Sequence, residues 1–209
     1  MRESEFPEFV EFFDGRYTMF GDKIEVPAER YEQFAAFPST LLQMWRHYGF
    51  SGFNDGKVWF CDPVAWAPVV EAWMSDRNLA MGTDRWHAIY RSAFGTLQLW
   101  GERTGPSVMI NPTVGALYPF DSSDDMESEE RRGYAMDSVF MSMTEGVLDA
   151  FDEQDRPLFD RALTRVGPVS AQTMYTFAPV TQLGGDRSIE TVVSEEAIPH
   201  MLLLAGLSG

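Results

Sequence analysis

The chain has 209 residues, with 32 acidic against 16 basic side chains, a formal net charge of −16, and 44% hydrophobic and 14% aromatic content. So much apolar material excludes intrinsic disorder, and a chain of this length buries roughly 70% of its unfolded surface, enough for a substantial core. The acidity repels nucleic acid and anionic lipid, so neither is an expected partner; a basic protein is.

Met1 is followed by charged residues and not by an apolar run, so no signal peptide is expected. No apolar stretch approaches the roughly 20 residues that cross a bilayer. The expectation is a soluble, cytoplasmic protein. Residues 2–14 mix acids with Phe6, Phe9, Val10, Phe12 and Phe13 and predict an amphipathic opening helix, interrupted at Pro7. Pro27-Ala28-Glu29-Arg30-Tyr31 predicts a short helix before Pro38.

The stretch Leu41 to Pro63 is the most legible part of the chain. Pro38-Ser39-Thr40 predicts a helix start with a hydroxyl cap. Leu41, Met44, Trp45 and Tyr48 recur at helical spacing, and Gly49 ends the helix at positive φ. Gly52 and Asn54-Asp55-Gly56 are turn residues. Val58-Trp59-Phe60 is a β-branched and aromatic strand, with Trp45 and Trp59 predicted to be buried. Asp62-Pro63 closes the strand and opens a helix carrying Trp66, Val69, Val70 and Trp73, with Pro68 in its first turn or kinking it.

From Trp86 the period becomes two. Trp86–Ala93, Thr96–Trp100, Val108–Asn111 and Ala116–Tyr118 predict strands joined by short glycine- and proline-containing turns. That is an antiparallel meander, to which Val58–Phe60 should belong. Residues 121–130, DSSDDMESEE, hold six acids and no base and predict a linker or charged loop.

Helical spacing returns with Met136, Phe140, Met143, Val147 and Phe151, then Leu158, Ala162 and Leu163 before Gly167-Pro168. Thr173–Ala178 predicts a strand, Leu183-Gly184-Gly185-Asp186 a turn, and Ile189–Val193 a second strand. Ser194 is the expected cap of a last helix with Glu195 and Glu196 in its first turn. The fold class is therefore α+β. Helices pack on an antiparallel sheet in a domain spanning 1–120, and a smaller mixed α/β domain spans 135–209 beyond an acidic linker at 121–134.

Candidate chemistry is sparse. Cys61 sits in an apolar strand and reads as packing; as a lone cysteine it forms no internal disulfide, and with His47 and His87 it makes no metal-ligand spacing. His47 reads as a surface or boundary residue and His200 as packed or helix-terminal. No phosphate loop, nucleophile elbow or zinc-protease motif occurs. No catalytic residue, metal or cofactor is expected.

Two segments together resemble a known pair of domains. LLQMWRHYGFSGFNDGKVWFCDP at 41–63, followed by Ala93-Phe94-Gly95 and Leu97-Gln98-Leu99-Trp100-Gly101, is similar to the GAD-like domain. Its marks are a helix reading L-x-x-W-x-x-x-G-F, a strand ending D/N-P, and A-F-G before a strand ending L-W. Met174-Tyr175-x-Phe177, Leu183-Gly184-Gly185 and the closing His200-Met201-Leu202-Leu203-Leu204-Ala205 resemble the small domain that follows GAD-like domains in type VI secretion immunity proteins. The resemblance covers residues 5–118 and 135–207.

The resemblance implies a cytoplasmic immunity protein that binds a toxin delivered between bacteria, and this domain pair often partners DNase effectors. It carries no catalytic residues. A basic toxin domain, a nuclease effector, is then the expected partner. The toxin-binding candidates are Asp121, Asp124, Asp125, Glu127, Glu129 and Glu130, with Glu145, Asp149, Asp186 and Glu190 behind them. The alternative is a small-ligand-binding protein or enzyme with its pocket between the two domains.

Overall fold

Strands lie in the main sheet in the order in which they occur in the chain: β1 (Met19–Phe20), β2 (Gly52–Phe53), β3 (Val58–Phe60), β4 (Trp86–Ser92), β5 (Leu97–Gly101), β6 (Gly105–Asn111) and β7 (Ala116–Pro119), each antiparallel to the next. This computed structural model describes residues 6–75 and 77–208. A second, two-stranded sheet pairs β8 (Thr173–Phe177) with β9 (Val192–Glu196). The helices are α1 (Phe6–Asp14), α2 (Ala28–Gln33), α3 (Ser39–Tyr48), α4 (Pro63–Met74), α5 (Glu129–Met141), the single turn α6 (Glu145–Leu148), α7 (Phe159–Val166) and α8 (Ala197–Leu207). The fold is α+β.

Strand alternation divides the core. Leu97, Leu99, Val108 and Ile110 point to one face, where they meet Trp66, Val69 and Trp73 of α4 and Met201 and Leu204 of α8. Trp100 and Tyr90 point to the other, where Phe13 of α1, Met44 and Trp45 of α3 and Met136 and Phe140 of α5 cover them. A third cluster joins Ala93 and Phe94, at the β4–β5 turn, to Phe159, Tyr175 and Phe177. Each cluster therefore takes side chains from both sides of the acidic stretch. Helices cover both faces of the sheet, and those from the C-terminal part fill positions on each.

The organising stretch forms as its residues dictate. Trp45 is fully buried and Trp59 nearly so. Gly49 has φ 68°, and a side chain there would run into the Ile24 carbonyl 2.0 Å away. Asn54 and Asp55 take positive φ in the β2–β3 turn. Asp62 accepts a hydrogen bond from the Val64 N–H at 2.9 Å, with Pro63 at the first helical position.

Five expectations are corrected. Pro7 lies in the first turn of α1 and interrupts nothing, because the N–H it lacks has no partner there anyway; residues 2–5 of that expectation fall outside the described residues. No hydroxyl caps α3. Thr40 Oγ1 donates instead to Asp137 Oδ1 at 2.7 Å, and the Ser39 N–H donates to Glu129 Oε1 at 3.2 Å, so an acid from α5 takes the capping role. The apolar spacing from Met136 to Phe151 is not one helix. α5 stops at Met141, Ser142 Oγ turns back to the Val139 carbonyl, and α6 restarts for one turn, so that Met143 and Leu148 still reach the core. Residues Ile189–Thr191 form a 3-10 turn, and the strand runs later, over Val192–Glu196. Ser194 consequently pairs with Tyr175 in β9 and caps nothing; α8 begins at Ala197, with Pro199 in its first turn.

Candidate functional site

The acidic stretch is folded. Asp121 Oδ1 accepts from the Ser123 N–H at 3.0 Å, and that bond holds its carboxyl below the usual carboxylate range. Ser123–Met126 make a 3-10 turn whose Met126 packs against the core, and Ser128 Oγ caps α5 through the Arg131 N–H. Glu127 pairs with Arg131 at 2.5 Å, and Glu129 lies 3.6 Å from Arg132 while capping α3. Tyr134 donates to Glu130 at 3.4 Å. Asp121, Asp124 and Asp125 remain exposed on the outside of the turn. Two of the six carboxylates are thus balanced by the arginines that follow them, and the negative field concentrates at the front of the stretch.

The other four candidates divide. Glu145 is exposed, 3.8 Å from Lys57 Nζ. Asp149 is buried: its Oδ2 lies 3.3 Å from Lys57, and its Oδ1 accepts from the N–H groups of Ala150, Leu158 and Phe159. Burial pushes this carboxyl above its ordinary range, against the pull of Lys57 and the amides. Asp149 is an internal cap and presents nothing to a partner. Asp186 and Glu190 are exposed between β8 and β9, beside Arg165 of α7, which donates to the Glu190 carbonyl at 2.8 Å.

A cleft of about 490 Å³ lies where the N-terminal and C-terminal parts meet, lined by Ile24, Phe50, Trp66, Ile198 and Pro199 with Glu25, Gln172 and Glu196. Its other carboxylate, Asp62, is already committed to Arg30 at 2.9 Å and to capping α4. Cys61 is buried nearby in sequence, and burial pushes its thiol up to about 12, which makes it inert as a nucleophile. His87, mostly buried, meets Glu102 at 2.9 Å, and His200 meets Thr176 Oγ1 at 2.7 Å; burial lowers both imidazoles. His47 is exposed. Among the described residues no three His, Cys, Asp or Glu side chains converge as a metal site would require.

Residues 8–114 match the GAD-like domain. The chain belongs to the GAD-like domain family. Residues 134–208 match a second family, the C-terminal domain of the type VI secretion immunity protein Tdi1. The chain therefore joins a GAD-like domain to a segment similar to a type VI secretion immunity domain, and residues 115–133, with β7 and the acidic stretch, lie between the matched regions. Among solved structures, Atu4351 from Agrobacterium tumefaciens shares the fold, with a TM-score of 0.82 and 21% identity over 92% of this chain and 86% of that one. No curated protein matches the chain.

The GAD-like domain is stitched to the Tdi1-type domain by buried polar groups that sequence reading missed. Arg91 of β4 is fully buried, between the rings of Trp59 and Trp66, and its Nη2 donates to the carbonyls of Ser170, Ala171 and Thr173 at 2.7, 3.1 and 3.0 Å. Trp73 Nε1 donates to the Met201 carbonyl at 3.0 Å. Tyr17 donates to the Met143 carbonyl. Arg91 sits in a strand reading WHAIYRS, where a lone arginine resembles an exposed edge position, and only the tertiary fold shows otherwise.

Proposed function

We infer that this protein is an immunity protein that neutralises a cognate type VI secretion toxin by stoichiometric binding in the cytoplasm, and that the toxin domain is a basic nuclease, a DNase. The match of residues 134–208 to the Tdi1 immunity domain carries this reading. The charge supports its electrostatic part. A nuclease presents a basic cleft to phosphates, and a chain with net charge −16 and exposed carboxylates at Asp121, Asp124 and Asp125 is complementary to such a cleft. The same charge disfavours direct contact with nucleic acid or anionic membrane. Among the described residues no helix is long and apolar enough to cross a bilayer. The protein acts by occupying its partner and needs no catalytic group of its own.

Two kinds of contact divide the work. Exposed acids at a rim speed encounter, while affinity comes from a buried apolar or aromatic centre within a total interface of about 1,200–2,000 Å². The rim we propose is Asp121, Asp124, Asp125, Glu127, Glu129 and Glu130, with Glu145, Asp186 and Glu190 as outlying acids.

A second reading rests on the cleft between the two parts of the chain, which has the size of a small-ligand site. Its largely apolar wall makes it a binding site before an enzyme's.

The test is co-expression with the toxic domain encoded beside this gene, scoring growth and chromosome integrity. Rescue of both is expected. Growth arrest with fragmented DNA, despite ample soluble immunity protein, would remove the assignment.

A further inference from the structure

The inner face of the main sheet carries a row of side chains in register: Tyr90, Gln98, Met109 and Tyr118, directly paired across β4, β5, β6 and β7. Burial falls along this row. Tyr90 and Gln98 lie under α5, Met109 is partly exposed, and Tyr118 is 46% exposed. The helix covers the sheet as far as β6 and leaves its β7 margin open. A sheet face left to solvent is ordinarily polar. Here it is Met109, Tyr118 and, two residues on and on the same face, Phe120 at 42% exposed.

Between this margin and α5 runs a groove of about 260 Å³, with Met109 and Phe120 on one wall, Val139 and Ser138 on the other, and Val147 of α6 at one end. The outer surface of α5 beside it continues the apolar character. Tyr134, Ser138 and Met141 follow at spacings of four and three on one side of the helix, with Tyr134 47% and Met141 51% exposed. At the other end the chain leaves Phe120 directly into Asp121, Asp124 and Asp125.

We propose that this groove, between the β6–β7 margin and α5, is the apolar centre of the toxin interface, and that it receives an apolar side chain of the toxin domain flanked by lysines or arginines. The proposal rests on the immunity reading and specifies its contact. Two observations select the occupant. Large aromatic and methionine side chains around a groove are the composition of an interface centre. The exposed carboxylates of Asp121, Asp124 and Asp125 at the Phe120 end complement a basic protein and repel an acidic one, including a second copy of this chain. The β7 margin and the acidic stretch also lie between the regions matched to the two families, on a scaffold that those regions supply on either side. Strand addition along the edge of β7 is a poorer mode of docking, because Pro119 lacks the N–H that a further strand would need.

The experiment measures binding of the full-length protein to a catalytically inactive form of the toxin domain encoded beside its gene. The pair Tyr118→Lys with Met141→Lys changes only exposed positions, and circular dichroism checks that the variant folds. Leu203→Lys on α8, at a position 54% exposed, is the control. The expected result is about 100-fold weaker binding for the pair and unchanged binding for the control. A photoreactive phenylalanine replacing Tyr118 should crosslink to the toxin domain, and one replacing Leu203 should not. If the parent binds and the double variant binds equally well, or crosslinking occurs only from position 203, the groove is not the contact and the immunity assignment stands. If the parent forms no complex, the immunity reading fails and this proposal fails with it.

Discussion

Lys57, at the end of the β2–β3 turn, places its ammonium 3.3 Å from the buried carboxylate of Asp149 and 5.1 Å from the centre of the Phe159 ring. One residue comes from the GAD-like domain and the other from the Tdi1-type domain. The ion pair is shielded, since the Asp149 side chain is 1% and the Lys57 side chain 16% exposed. Asp149 also holds the N–H groups of Leu158 and Phe159, at the start of α7. Asp149→Ala should therefore cost about 3 kcal/mol, because it leaves the Phe159 amide without its acceptor and the ammonium with only the exposed Glu145, 3.8 Å away. Urea denaturation checks this; a loss below about 0.5 kcal/mol would show that water replaces the carboxylate.

Arg91 tests the same junction at a second point. Burial pushes its guanidinium down to about 10, still charged at neutral pH, and it spans three carbonyls of residues 170–173. Lysine has one donor point and no planar fork. Arg91→Lys should cost about 3 kcal/mol and loosen the segment before β8. Hydrogen exchange at Thr173–Phe177 is the readout, and native-like protection there would contradict the assignment.

Asp152 governs the acid limb of stability. Burial opposes its ionisation, but the amides of Arg156 and Gln154 and the guanidinium groups of Arg161 and Arg156 outweigh it and hold the carboxyl well below the usual range. A folded-state pKa below the unfolded value of roughly 4 gives stabilisation that is complete above that pH and is lost as pH falls through the folded value. Asp149 has the opposite sign: its raised pKa gives a contribution present below the unfolded value and lost as pH rises. Asp152→Asn should lower the melting temperature at pH 7 and flatten its decline below pH 4. A variant with the parent's full acid slope would assign that limb elsewhere.

Electrostatic steering should appear in the kinetics. Screening acts over about 8–10 Å at moderate ionic strength, so association with a basic partner should slow as salt is added. Neutralising Asp121, Asp124, Asp125, Glu127, Glu129 and Glu130 should slow it at low salt and remove most of its salt dependence. Among these the three aspartates should matter most, because Glu127 and Glu129 are already matched by Arg131 and Arg132. Stopped-flow association at two salt concentrations decides it; an on-rate indifferent to both salt and substitution would rule out steering.

Much of the scaffold was legible because it rests on local chemistry. Gly49, Asn54-Asp55-Gly56 and Asp62-Pro63 each demand a backbone state that few other residues accept, and the alternation of Leu97, Leu99, Val108 and Ile110 marks a sheet face directly. What stayed hidden depends on distant partners. The α3 cap comes from Glu129, 90 residues away, so Ser39 and Thr40 read misleadingly as their own cap. Asp149 looked like one more surface acid, because Lys57 and the amides that bury it are invisible in a one-dimensional charge count. Tyr118 read as an ordinary strand residue, since nothing local shows where α5 stops covering the sheet.

The most direct measurement is a titration of the toxin domain's nuclease activity with purified immunity protein, with the complex mass determined by sedimentation. Loss of DNA cleavage that reaches completion at one equivalent, in a complex of defined stoichiometry, is the predicted result. Undiminished cleavage in the presence of excess folded protein would contradict the account.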